Sequence, residues 1–162
     1  MDRRVIGLLV AGGILAVVVI VILVGRGGDS GGDTTSVADV GTKPTVEVPK
    51  GPAPKTLVVK DLKTGDGAEA KSGDQVSVQY VGVLYDGGKQ FDASWDRGQP
   101  FAFQLGGSQV IPGWDQGVAG MKVGGRRELI IPPDLAYGAQ GQPPTIPANA
   151  TLVFVIDLVS VG

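Results

Sequence analysis

Between Val5 and Val24 the chain reads VIGLLVAGGILAVVVIVILV, twenty residues without a charged or polar side chain. A helix of that length rises about 30 Å, the hydrocarbon thickness of a bilayer. It has no polar face, so it cannot lie on the surface of a soluble domain. Any independent fold must therefore be sought after it. A cleaved secretory signal is the alternative, but its apolar core is shorter, about 7–15 residues, and it ends at small residues in an A-x-A pattern. Here the run is followed by GRGGDSGG, where only a Gly-x-Gly site is available. The reading is a transmembrane anchor or uncleaved signal over residues 5–24, after a short cytoplasmic stretch, 1–4. Arg3 and Arg4 precede the run, whereas Arg26 is soon followed by Asp29 and Asp33. That balance places the N-terminus in the cytoplasm. The expectation is a single-pass protein of the cell membrane with its bulk extracytoplasmic, or a secreted one if the segment is cleaved.

Residues 25–55 read GRGGDSGGDTTSVADVGTKPTVEVPKGPAPK. The first half is rich in Gly, Ser and Asp, the composition of a flexible coil. The second half carries Pro44, Pro49, Pro52 and Pro54 and should be stiffer and more extended. The whole reads as a tether holding a domain off the membrane. TVEVP alternates like a short strand, and an ordered arm packed on the domain is the other reading of it.

From residue 56 to 162 strand signals are dense. DQVSVQYVGVLY alternates, with Val76, Val78 and Tyr80 on one face and Ser77 and Gln79 on the other. PFAFQLG alternates likewise, with Phe101, Phe103 and Leu105 facing one way. TLVVKDLKTG, RRELIIP and TLVFVIDLVSV complete the strands, and YDGGKQF is a turn between apolar runs. One helix is expected, Pro112–Met121, with Pro near its start and Gly124–Gly125 beyond its end. The fold class is α+β, a curved antiparallel sheet wrapped around one short helix.

The chain contains neither Cys nor His. Disulfides, thiolate metal sites, cysteine nucleophiles and imidazole acid–base chemistry are excluded together. No phosphate loop or metal-ligand cluster appears, and no cofactor or metal is implied. A formal net charge of -2 gives no sign of a nucleic-acid partner. Asp92 and Asp96, four apart in FDASWDRG, read by themselves as turn chemistry or solvated charge.

The ordered stretches QYVGVLYDGGKQFDASWDRGQPFAFQLG, VIPGWDQGVAGMKVGGRRELIIPPDLAYG and IPANATLVFVIDLV resemble the FKBP-type peptidyl-prolyl cis–trans isomerases. The resemblance runs from about residue 56 to 161 and leaves out the apolar run and the linker. It implies the same curved sheet around one helix, and an apolar pocket that receives a proline ring with Trp114 as its floor. The other matching positions are Tyr80, Phe91, Asp92, Arg97, Phe101, Val110, Ile111, Tyr137, Ile146 and Phe154. Of these, Asp92, Tyr137 and Phe91 are expected to act in catalysis, and the rest to bind substrate. Proline-containing polypeptides are the implied clients, and macrolides of the tacrolimus and rapamycin type are possible ligands. Three positions depart from the common pattern. Gln142 stands where many members have histidine, Thr145 where an aliphatic residue is usual, and Pro112 where a polar or charged residue is frequent. These bear on substrate preference and macrolide affinity rather than on the pocket floor.

An isomerase of this kind needs no proton transfer, so the lack of His and Cys is no obstacle. A non-catalytic module holding proline-containing segments is the alternative function. A structural β domain is a third reading, and it expects a buried Trp114 with no pocket beside it.

Overall fold

The computed structural model describes residues 41–162, and the apolar run Val5–Val24 lies outside the described residues. Among the described residues no helix is long and apolar enough to cross a membrane. The strands are β1 (Val58–Lys63), β2 (Gln75–Leu84), β3 (Gln90–Ala93), β4 (Phe101–Gln104), β5 (Arg126–Ile131) and β6 (Leu152–Val161). The helix α1 spans Pro112–Gly117, and 3-10 turns occupy Ser94–Arg97 and Pro133–Leu135.

All pairings are antiparallel, in the order β1-β5-β6-β2-β3, with β4 also on β2. The long strand β2 pairs β4 along Gln75–Val78 and β3 along Val81–Val83. Both short strands therefore share one edge of β2, and the 3-10 turn Ser94–Arg97 lies where the chain passes from one to the other. The expected alternation holds: Val76, Val78, Phe103 and Leu105 are buried, while Ala102 and Gln104 are exposed. From Tyr80 onward β2 is buried on both faces, because the sheet has two apolar layers. The inner layer packs Val76, Val78, Tyr80, Phe103, Leu129 and Phe154 around Trp114 and Val118 of the helical segment. The outer layer is Val81, Val83, Ala93, Ile130 and Val153.

Two glycines let the helix reach the sheet. A Cβ on Gly113 would stand 2.4 Å from Ile131 Cγ2, and one on Gly117 would stand 2.6 Å from Leu129 Cδ1. Four residues apart, they share one helix face, and that face lies on β5. The helix is shorter than the expected Pro112–Met121. Val118 N–H still bonds to the Trp114 carbonyl, but Gly120 has φ +86° and turns the chain out of the helix. The stop signal is thus Gly120 rather than Gly124–Gly125, since a left-handed residue cannot continue a right-handed helix.

Residues 25–40 of the expected tether lie outside the described residues; its latter part lies against the domain, which is the ordered-arm reading of TVEVP. Val46 and Val48 are half-buried against the outer layer, between exposed Thr45 and Glu47. The Thr42 carbonyl accepts from Arg126 Nη2 at 3.2 Å. The Tyr85 hydroxyl lies 3.3 Å from the carbonyls of both Gly51 and Pro52. Apolar surface on the outer face of β2, β5 and β6 has to be covered, and the alternating valines cover it.

Gly113→Ala is expected to overpack the contact between α1 and β5 and to cost about 1–3 kcal/mol of stability. Urea unfolding should show a lower midpoint with little change in slope; an unchanged midpoint would mean that the helix can lift off the sheet without penalty.

Candidate active site

The inner layer contains a continuous group of aromatic rings. Trp114, brought to the sheet by the glycine face of α1, meets Tyr80 edge to face at 4.9 Å and 83°. It meets Phe154 of β6 at 5.3 Å and 86°. Phe101 of β4 approaches Trp114 at 6.2 Å, and Phe91 of β3 meets Phe154 at 5.5 Å and 88°. Edge-to-face pairs at these separations set the positive ring edge against the negative face of the neighbour.

Gly82 makes the last pair possible. A Cβ there would lie 2.7 Å from both Phe154 Cε1 and Phe91 Cζ. This glycine was not singled out in the sequence, although a glycine inside an alternating strand is the usual mark of a close approach.

A charged network is joined to the rings through Tyr80. Its hydroxyl donates to Asp92 Oδ2 at 2.5 Å, while Arg97 Nη1 donates to Asp92 Oδ1 at 2.6 Å. Arg97 Nη2 closes the triangle by donating to the Tyr80 hydroxyl at 2.7 Å. The Asp92 side chain is only 8% exposed, so its charge is held by these two donors rather than by water. Asp96, grouped with Asp92 in the sequence, is exposed and belongs to a separate ion pair with Lys43. Strand β3 turns Asp92 inward, and the following 3-10 turn carries Asp96 outward.

Burial, and then the bond to Asp92, push the Tyr80 hydroxyl well above the usual phenol range. Burial, with the Asp92 charge adding to it, does the same for Tyr137. Burial works against the Arg97 charge, but its bonds to Tyr80 and Asp92 outweigh that and raise it.

The expected residues divide into two shells. Phe91, Asp92, Phe101 and Tyr137 are partly exposed, Arg97 more so, and Val110 and Ile111 are 8% and 7% exposed. Tyr80, Trp114, Ile146 and Phe154 lie behind them with 1% exposure or less. Trp114 is therefore the support beneath the apolar surface, with its indole Nε1 unpartnered. Its burial is what the structural-domain reading expects, so the indole by itself does not separate the readings. The partly exposed charge network and phenylalanines are the features ordinary core packing leaves unexplained.

Ile111 precedes α1, and its carbonyl accepts from Trp114 N–H at 2.9 Å, but its own N–H has no backbone acceptor among the described residues. Asp115 fixes the approach to this position by accepting from Gly106 N–H at 2.8 Å and Ser108 N–H at 3.2 Å. Gln142 lies in the loop that Ile146 pins to the core, and its Oε1 is buried without a partner. Among the described residues no cluster of acidic side chains is placed to hold a metal. A separate cavity of about 60 Å³, lined in part by Asp61, Lys63, Lys122 and Arg127, shares no residue with this site. It is far smaller than the clefts that bury organic ligands.

Two outcomes follow. Trp114→Ala is expected to cost about 3–5 kcal/mol of stability, as for a buried aromatic, whereas Phe91→Ala, at the half-exposed rim, should cost clearly less; denaturant titration of both variants checks the order. The raised phenols stabilise the fold while they stay protonated. That contribution is complete below the unfolded tyrosine value of about 10 and is lost as pH rises through the higher folded values. Unfolding free energy should thus fall above about pH 10, and Tyr80→Phe should flatten the fall.

Residues 67–159, more than half of the chain, match the family model of the FKBP-type peptidyl-prolyl cis–trans isomerases. The chain is 58% identical over 120 residues to an FK506-binding protein of Streptomyces anulatus, a match covering 74% of this chain and 97% of that one. It is 53% identical over 118 residues to a probable FK506-binding protein of Corynebacterium glutamicum, covering 73% and 98%. The crystal structure of AtFKBP13 superposes with a TM-score of 0.62 at 39% identity, covering 68% of this chain and 96% of that one. With the antiparallel sheet and, among the described residues, one short α-helix in agreement, the chain belongs to the FKBP-type peptidyl-prolyl cis–trans isomerase family.

Proposed function

We propose that the surface formed by Phe91, Phe101, Val110, Ile111 and Tyr137 is where this isomerase binds the Xaa-Pro segment. The observation that carries the reading is the Tyr80–Asp92–Arg97 triangle joined to the aromatic group by the Tyr80 ring. The amide C–N bond resists rotation by about 18–20 kcal/mol because of its partial double-bond character. At the twisted transition state resonance is lost, the carbonyl is less dipolar and the nitrogen is pyramidal. An apolar surface disfavours the more polar planar amide and so lowers the barrier without any covalent step.

Phe91 and Phe101 supply that surface, backed by Trp114, Phe154 and Ile146. A proline ring reaching the indole has to displace the side chains above it. The Ile111 N–H donates to a substrate carbonyl, and the Tyr137 hydroxyl orients the segment. Asp92, held by Tyr80 and Arg97, sets a fixed negative charge beside the carbonyl carbon, which becomes more electrophilic as resonance is lost. Each 1.36 kcal/mol of selective stabilisation is worth tenfold in rate. The same surface is proposed to accept macrolides of the tacrolimus and rapamycin type, in keeping with the names of the relatives.

The clients are proposed to be proteins folding outside the cytoplasm, reached by a domain anchored to the cell membrane through Val5–Val24. What supports this is the length and apolarity of that run and the Lys/Arg balance around it.

A protease-coupled isomerisation assay on a proline tetrapeptide tests the assignment. Phe91→Ala and Asp92→Ala are each expected to lower kcat/KM at least about tenfold, the equivalent of one lost orienting interaction. Full activity in both variants would remove the site, and binding without turnover in the wild type would make the chain a proline-segment-binding module.

A further inference from the structure

The 3-10 turn Ser94–Arg97 is held from two sides. On the inner side Arg97 bonds to Asp92 and Tyr80. On the outer side Trp95 packs with the outer layer, to which Val46 and Val48 of the N-terminal arm also belong. Between them Asp96 accepts from Lys43 Nζ and from Gln90 Nε2, both at 2.7 Å. The Lys43 bond, with that of Gln90, draws the Asp96 carboxyl below the usual carboxylate range. Ser94 fastens the front of the turn: its Oγ accepts from Tyr80 N–H at 2.7 Å and donates to Gln79 Oε1 at 2.5 Å. The back of the turn is held by the bonds of Arg97 itself, and through Asp96 by Gln90 and the arm.

We propose that the arm 42–52 is a positioning element of the isomerase site, with Lys43 and the Val46–Val48 pair setting where Arg97 stands and hence how Asp92 and Tyr80 are held. Residues 95, 96 and 97 are consecutive in one turn, so a shift of Trp95 or Asp96 cannot leave Arg97 in place. The family model starts at residue 67, but the match to a relative extends into the arm. A 120-residue match that ends no later than Gly162 begins no later than Lys43, and it accounts for 97% of the Streptomyces anulatus protein. This inference rests on the assignment of Asp92 and its partners to the site, and the experiment separates the two.

The measurement is kcat and KM for the full chain in detergent micelles, beside Lys43→Ala, Lys43→Arg, the double variant Val46→Ser/Val48→Ser and Asp92→Ala, with urea unfolding of each. Lys43→Ala should lower kcat about two- to fivefold with KM nearly unchanged, and Lys43→Arg should restore it. The double variant should lower kcat by about tenfold, within the range that a misplacement of about 1 Å causes far from the chemistry. A role in stability alone would move the unfolding midpoint and leave kcat of the folded fraction as in wild type, and that result overturns the proposal. If the double variant fails to fold, Lys43→Ala decides, because its exposed side chain carries little of the fold. Loss of activity in Asp92→Ala with unchanged kcat in the arm variants rejects the positioning role and keeps the site; full activity in Asp92→Ala rejects the role of the Tyr80–Asp92–Arg97 triangle and the proposal with it.

Discussion

The contact of the Trp114 indole with the inner face of the sheet is the constraint on which the rest of the domain depends. A wholly buried tryptophan removes about 150–250 Å² from water, worth about 4–6 kcal/mol at about 25 cal/mol per Å². That gain is available only if the helix comes close enough for the ring to meet Tyr80, Phe101, Phe103 and Phe154 together. Gly113 and Gly117 remove the side chains that would hold α1 off β5. Gly82 makes the matching allowance within the sheet, where Phe91 and Phe154 cross over it. The helix has six residues and little stability of its own, so packing rather than propensity keeps it formed.

The candidate site is a consequence of that packing. The Tyr80 ring is fixed by its aromatic neighbours, and its hydroxyl is thereby presented to Asp92 and Arg97. Strand β3 and the turn after it bring the aspartate and the arginine to the same hydroxyl from positions five residues apart. Burial makes the arrangement exacting. A carboxylate this poorly exposed has to keep both donors, since losing either leaves a charge without its solvation. A rigid negative group beside an apolar surface suits a reaction in which an amide loses its resonance and no proton moves.

The outer face follows a different logic. Val81, Val83, Ala93, Ile130 and Val153 leave a second apolar surface that the body of the sheet does not bury by itself. The arm covers part of it and, in doing so, meets the same turn that supplies Arg97. The exposed ion pair of Lys43 with Asp96 contributes at most about 1 kcal/mol. Its interest lies in where it attaches rather than in its strength.

Much of this was legible in the chain. The strands were readable because inner-face residues recur with period two, and β4 and β6 appear where that alternation or a continuous apolar run places them. The absence of His and Cys removed thiol and imidazole chemistry, and the order of aromatic and charged motifs pointed to the family. Helix length is not legible because Gly120 turns the chain out of α1 through its backbone conformation, which composition does not reveal. The separation of Asp92 from Asp96 is not legible in the sequence because both lie in one short stretch, and a four-residue turn decides which faces inward. In the sequence Gly82 is an ordinary strand glycine, and only the two rings that cross over it make it necessary. The arm was ambiguous since TVEVP alternates just as well beside an unpaired tether as on a sheet face, and what settles it is the apolar layer contributed by strands far away in the chain. Local periodicity thus determined the elements, and the resemblance of the ordered motifs to a known family implied the kind of reaction. Only the tertiary structure decided which charge is buried, which aromatic rings are support and which are surface, and where the arm rests, because each of these depends on contacts between residues distant in sequence.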